Sequence, residues 1–211
     1  MNNNTNASIT GLILSGGRAS RMDAAGSTDK GLVKVGGISL ISHVITRFAP
    51  QVDRLIINAN RHRAEYAAFG YDVIADDDSD AFMGPLAGLH TVIKRLTTPL
   101  LAIVPCDAPR LPLNLVSRLA SQLTMDCDFT YVTTNAQPQP TFCVLKVSLA
   151  QELTTYLASG QRSIQHWIAT LGRCAVGVTF VSEEGDGDNA NAFTNINTVA
   201  DVRAFEQHYR A

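Results

Sequence analysis

The chain has 211 residues, enough for one substantial core and short for two, and its 45% apolar and 17% charged residues exclude a disordered, fibrous or repeat protein. A net charge of −2 spread over that length excludes a dedicated nucleic-acid binder, which needs a clustered basic surface, so any anion site must be local. No run reaches the ~20 apolar residues of a membrane span.

Residues 1–8 have neither the positive start nor the apolar stretch of a signal peptide and are expected to form a disordered tail. The four cysteines, Cys106, Cys127, Cys143 and Cys174, form no Cys-x-x-Cys pair. That spacing disfavours zinc and redox dithiols, and a cytoplasmic protein with reduced, mostly buried thiols is expected.

Apolar runs then alternate with helical patterns. Ile9 to Leu14 reads as a first strand. Leu40, Ile41, Val44, Ile45 and Phe48 share one helical face behind a Ser39 cap. Arg54 to Asn58 is a second strand, residues 63–69 a short helix, and Asp72 to Ala75 a third strand. Gly84-Pro85 opens a helix carrying Leu86, Leu89, Ile93 and Leu96. The most continuous apolar strand follows over residues 99–105.

The later part is less regular. Phe129 to Thr134 and Thr141 to Val147 read as strands around a Gln-Pro-Gln-Pro turn, Ser163 to Leu171 as a helix with Trp167 in the core, and residues 175–181 as another strand. A last helix, Val199 to Tyr209, is announced by Thr198 and Asp201, a capping box with aspartate in place of the usual glutamate. Near-continuous apolar strands alternating with helices predict a three-layer α/β/α, Rossmann-like fold with a mostly parallel sheet, in one domain over residues 9–211.

In such sheets ligands bind beyond the carboxyl ends of the strands. Four ends stand out: Ser15-Gly16-Gly17, Asn58 to Asn60, Asp76, and Cys106-Asp107. Glycines let backbone N–H groups approach an oxyanion, and Arg21 and Lys30 add cations on the same stretch, which suits a nucleotide's triphosphate. The stretch matches neither G-x-x-x-x-G-K-[ST] nor G-x-G-x-x-G, so P-loop NTPases and dinucleotide dehydrogenases lose support. Asp107, at the end of the most apolar strand, suits a magnesium ligand or an Asx turn before Pro109. The remaining acidic runs, residues 77–80 and 183–188, read as solvated loops, and the five histidines have no ligand spacing.

The segments LSGGRASRM, DKGLVKVGG, NAN, ADD, GPLAG, PCDAP, QPTF, GQRSI and FTNINT, in this order, closely resemble the molybdenum cofactor guanylyltransferases, a magnesium-dependent family that joins GMP to molybdopterin. Ser15 stands where the family usually has alanine, and residues 23–28 lengthen the usual link before Asp29-Lys30. The resemblance implies GTP binding by Leu14, Ser15, Gly16, Gly17, Lys30, Asn58, Asp76 and Asp107. It also implies catalytic roles for Lys30, Asp107 and Arg21, with Mg2+ on Asp107. Arg162, Ser163, Asn195 and Asn197 would face molybdopterin, dividing the chain into a GTP half (residues 9–110) and a molybdopterin half (residues 111–211).

The implied partners are the two substrates and, transiently, proteins that deliver or accept the cofactor; neither nucleic acid nor membrane is expected, and the chain is expected to act as a monomer. The rival readings are a CTP-dependent sibling, a sugar-phosphate nucleotidyltransferase and a non-catalytic nucleotide-binding regulator. Gly16 favours GTP, because the cytidylyltransferases tend to carry Leu-Ala-Ala-Gly.

Overall fold

The first strand, β1 (Ile9–Leu14), buries Leu12 and Ile13 completely although they point to opposite faces, as a strand sandwiched between two helical layers must. In the computed structural model, which describes residues 7–15, 29–77, 84–180 and 191–209, that strand lies near the middle of a seven-stranded sheet. The expectations for Gly16, Gly17, Arg21 and residues 183–188 therefore lie outside the described residues.

After β1 come a small hairpin, β2 (Lys34–Val35) and β3 (Ile38–Ser39), then α1 (Leu40–Phe48), β4 (Arg54–Asn58), α2 (Arg63–Ala67), β5 (Asp72–Ile74), α3 (Pro85–Ile93) and β6 (Leu100–Pro105). Ser39 caps α1 as expected, its hydroxyl accepting from the Ser42 N–H at 3.4 Å. The second half adds α4 (Leu115–Ala120), β7 (Phe129–Thr134), β8 (Gln137–Lys146), α5 (Ala150–Ala158), α6 (Ile164–Leu171), β9 (Ala175–Thr179) and α7 (Val199–Tyr209). The small hairpin, α4 and α5 were not legible in the sequence.

The strand order is β5-β4-β1-β6-β8-β7-β9, with β8 antiparallel to both of its neighbours and every other adjacent pair parallel. Alternate side chains feed two cores. Ile13, Leu55, Ile57 and Val104 meet α1 and α4 on one face; Leu12, Ile56, Leu101 and Ile103 meet α3, α5 and α6 on the other. Trp167 belongs to the second core, edge-on to Phe129 with ring centroids 5.6 Å apart. A third, small cluster of Val35, Leu40, Ile196 and Phe205 ties α7 to the β2–β3 hairpin. The four cysteines are free, with Cys106, Cys127 and Cys143 buried.

The turn between β7 and β8 is not Gln-Pro-Gln-Pro. Thr134 pairs with Gln137, so the two-residue loop is Asn135-Ala136, both left-handed with φ of 49° and 60°. Pro138 then falls opposite Thr133, at a pair where the ladder needs no N–H, and Pro140 falls in the stretch of β8 facing the register shift between Tyr131 and Val132. Prolines are thus tolerated in a strand that pairs with β6 only further on, from Cys143.

An alanine in the left-handed region carries a Cβ clash of about 1–2 kcal/mol that glycine lacks. Ala136→Gly is expected to stabilise the protein by about 1 kcal/mol, seen as a higher urea midpoint at unchanged slope. A lower midpoint would contradict this turn geometry.

Candidate active site

Parallel pairing places Leu14 opposite both Asn58 and Pro105, and Asn58 opposite Ile74, so four strands end at one level. The ladder runs one step further, the Ser15 N–H donating to the Asn58 carbonyl at 2.9 Å and the Cys106 N–H to the Leu14 carbonyl at 3.1 Å. Ser15, Asp76 and Asp107 therefore emerge along one rim, and two polar clusters are built on it.

The first cluster centres on Lys30, which opens a single 3-10 turn, Lys30–Leu32. Its Nζ donates to Asp107 Oδ2 and to Asn197 Oδ1, joining residues 77 and 167 positions away in sequence. Asp107 is only 6% exposed, and its Oδ1 is buried without a hydrogen-bond partner among the described residues. Neither carboxylate oxygen is spent on an Asx turn. A buried carboxylate with an unused oxygen beside an ammonium can take a cation or a polarised water on that oxygen while the lysine faces an anion. Among the described residues no three His, Cys, Asp or Glu side chains converge on one point, so an ion here would rest on Asp107 and on ligand oxygens.

The second cluster surrounds Asp76. Its Oδ1 accepts from Asn58 Nδ2 at 2.8 Å and its Oδ2 from Asn60 Nδ2 at 2.8 Å, while its N–H donates to Asn60 Oδ1 at 2.8 Å. Asn58 Nδ2 also reaches the Ile74 carbonyl at 3.1 Å. The carboxylate is thus held between two amides, and Asn60, which the sequence marked only as part of a strand end, is a full member of the cluster. The available signal was the i, i+2 asparagine pair just past a strand end. Gly88 explains the GPLAG segment: a Cβ there would overlap the Asn58 amide and come within 2.7 Å of its Cγ. The neighbouring Asp77 turns away from this cluster to Lys94 and Arg95 at 3.1 and 2.7 Å. The hydrogen bond from Lys94 holds its carboxyl below the usual range.

The carboxyl-terminal candidates divide. Ile196 N–H donates to the Asp107 carbonyl at 2.8 Å, which brings the Asn195–Asn197 segment onto the first cluster. Asp201 Oδ2 accepts from the N–H groups of both Asn197 and Thr198 at 2.8 Å, and Thr198 Oγ1 accepts from the Asp201 N–H at 3.2 Å. This is the expected capping box extended by one residue. The Asn197 N–H, foremost among several donors, lowers the Asp201 pKa, so the cap stays ionised at neutral pH and is lost only in acid, below the ordinary aspartate range.

Asn195 Oδ1 is buried without a hydrogen-bond partner among the described residues. Its neighbours Thr194 and Ile196, with Pro109, Arg110 and Phe205, line a cleft of about 230 Å³ to which Asn195 itself does not contribute. Arg162 and Ser163 bond elsewhere. Arg162 Nη1 donates to the Leu157 and Gln161 carbonyls at 2.7 and 2.6 Å, and Ser163 Oγ caps α6 by accepting from the His166 N–H at 3.2 Å. They stand in the short connection between α5 and α6.

Residues 11–175 match the MobA-like NTP transferase domain family. The chain is 46% identical over 200 residues to the molybdenum cofactor guanylyltransferase of Bordetella petrii, covering 92% of this chain and 95% of the relative. It is 38% identical over 196 residues to the protein of that name from Haemophilus influenzae, covering 92% and 96%. Among solved structures, molybdopterin-guanine dinucleotide biosynthesis protein A from Archaeoglobus fulgidus superposes with a TM-score of 0.76 at 21% identity, covering 95% of this chain and 98% of that one.

Because Gly88 leaves room for Asn58, Gly88→Ala should push the Asn58 amide off Asp76 with little effect on α3, where alanine is the better helix former. The expected result is a retained melting temperature with nucleotide affinity lowered at least about tenfold, as for a broken charged hydrogen bond, measured by calorimetry. Unchanged affinity would remove Asn58 and Asp76 from the binding surface.

Proposed function

The chain belongs to the MobA-like NTP transferase family, and we propose that its reaction is the transfer of GMP from GTP to molybdopterin, forming the guanine dinucleotide cofactor and releasing pyrophosphate. The observation that carries this reading is the meeting of Lys30, Asp107 and Asn197 on one rim, in a chain similar almost end to end to guanylyltransferases. A terminal phosphate oxygen of molybdopterin attacks the α-phosphorus in line. The bond to the β-phosphate oxygen breaks, and pyrophosphate leaves with the electron pair.

This scheme asks the protein to position anions and neutralise charge, and no protein nucleophile takes part. The adjacent thiol is accordingly inert: burial, with Asp107 next to it, pushes the Cys106 pKa up to about 12. Lys30 supplies a positive charge to the phosphates. Leu14, Ser15, Gly16 and Gly17 are assigned to GTP binding, and Arg21 to a catalytic role beside Lys30. Asn58 and Asp76 receive the nucleoside.

A divalent ion, taken here as Mg2+, fits Asp107 Oδ1, the orphaned oxygen; bound there it would neutralise phosphate charge. Asn195, Arg162 and Ser163 are assigned to molybdopterin, so residues 9–110 serve the nucleotide and residues 111–211 the acceptor. Asn197, which accepts from Lys30, stands between the two. The protein is taken to act as a monomer in transient contact with proteins that deliver or accept the cofactor.

Pyrophosphate release from GTP, CTP and ATP with molybdopterin and magnesium tests the assignment. GTP should be preferred by at least about 10²-fold, because a pocket that pairs guanine's two donors would be left with unpaired acceptors by the other bases. Equal use of CTP would remove the guanine assignment. Lys30→Ala is expected to lower kcat by about 10² to 10³ with a smaller change in KM, as for loss of a group acting on developing negative charge. Asp107→Ala should abolish turnover even at saturating magnesium, and near-normal activity would exclude it as the metal ligand.

A further inference from the structure

Asp29, immediately before Lys30, is 1% exposed, yet the reaction scheme has no use for it. Its Oδ1 accepts from Arg61 Nη2, and Arg61 is the residue after Asn60, the side chain that clasps Asp76. The pair therefore joins the loop of the nucleoside cluster to the turn of the phosphate cluster, 32 positions apart in sequence. That turn cannot hold itself. It is one 3-10 turn, closed by Leu32 N–H to the Asp29 carbonyl at 3.0 Å and Val33 N–H to the Lys30 carbonyl at 3.2 Å.

What lies beneath the turn is equally specific. Gly31 rests on the hydroxyl of the fully buried Tyr66 and on Cys106; a Cβ there would stand 2.9 Å from Tyr66 Oη and 3.3 Å from Cys106 Sγ. The turn is thus seated from below by Tyr66 and held from the side by Arg61. Burial raises the Asp29 pKa against the pull of Arg61, so the carboxylate pays for its place with desolvation. A buried ion pair of this kind is weak evidence of stabilisation, since apolar replacements often do as well; its better-attested use is to fix geometry.

We infer that Asp29 and Arg61 are positioning residues that set the reach of Lys30 and couple it to the nucleoside loop, an inference that rests on the proposed nucleotidyl transfer. Replacing only Arg61 would strand a buried carboxylate and risk unfolding. The double variant Asp29→Asn/Arg61→Met removes both charges at similar volume.

In a pyrophosphate-release assay with GTP and molybdopterin, the double variant should lose about 10- to 100-fold in kcat, as a displaced catalytic group does, while GTP affinity changes less than about threefold. The same pair of substitutions in a Lys30→Ala background should change kcat less than about twofold, because the effect passes through Lys30. Arg61→Lys, which keeps the charge, should recover part of the loss. A double variant as active as wild type, or an equal loss with and without Lys30, would overturn the inference.

Acetic anhydride labelling of Lys30, followed by mass spectrometry, separates this inference from the reaction it rests on. Faster labelling in the double variant supports the positioning role whatever the substrate, and an unchanged rate overturns it. A wild-type protein that releases no pyrophosphate from GTP overturns the transfer reaction instead.

Discussion

Three parallel strands in one register set the terms for everything else in this molecule. With Leu14 opposite both Asn58 and Pro105, any residue that follows β1, β4 or β6 leaves the sheet at the same edge. The register is held because both faces are covered. Each strand buries side chains into both cores, at about 1.5–3 kcal/mol for a fully buried large apolar group, and a slip of one residue would exchange the two sets. A rigid apolar frame can then present polar groups whose own interactions would not hold them.

Charge is distributed accordingly. The Arg54–Asp72 and Lys146–Asp128 pairs lie toward the surface, where ion pairs contribute about 0–1 kcal/mol. Lys30–Asp107 and Arg61–Asp29 each put a nearly buried carboxylate against a cation at the rim. Such pairs are retained at a desolvation cost, and both meet at the same turn. Satisfaction is also incomplete: among the described residues, Asp107 Oδ1 and Asn195 Oδ1 are buried without a hydrogen-bond partner. Unpaired buried polar atoms are costly in a closed core and useful at the wall of a site that takes a ligand.

The carboxyl-terminal helix completes the rim from outside the sheet. Phe205 and Ile196 pack with Val35 and Leu40, and His43 meets Phe205 edge-on at 5.4 Å, so α7 is carried by the β2–β3 hairpin together with α1 rather than by the central strands. The capping box then projects Asn197 toward Lys30. A small apolar cluster thus decides where an asparagine acts, and the hairpin that supports it is the one that follows the lysine turn.

The amino-acid sequence by itself determined the features that are local in origin. Continuous apolar runs marked β1, β4 and β6, because strands buried on both faces need no alternation; 3.6-residue periodicity marked α1, and Thr198 with Asp201 marked the start of α7. The ordered motifs also identified the strand ends that carry Asn58, Asp76 and Asp107. Other features depended on contacts between distant residues. Asn135-Ala136 became the hairpin turn, displacing the proline-rich segment, because pairing with β7 fixed the register of β8. The short apolar faces of α4 and α5 were illegible until the sheet gave them something to cover. Asn60 and Asp29 lie inside the NAN and DKG motifs and Arg61 just outside one, but nothing local shows what they do; they are placed by facing Asp76 and the Lys30 turn. The meeting of Lys30 with Asn197, across 167 positions, has no trace in either neighbourhood, since it exists only where two independently packed elements bring their ends to one rim.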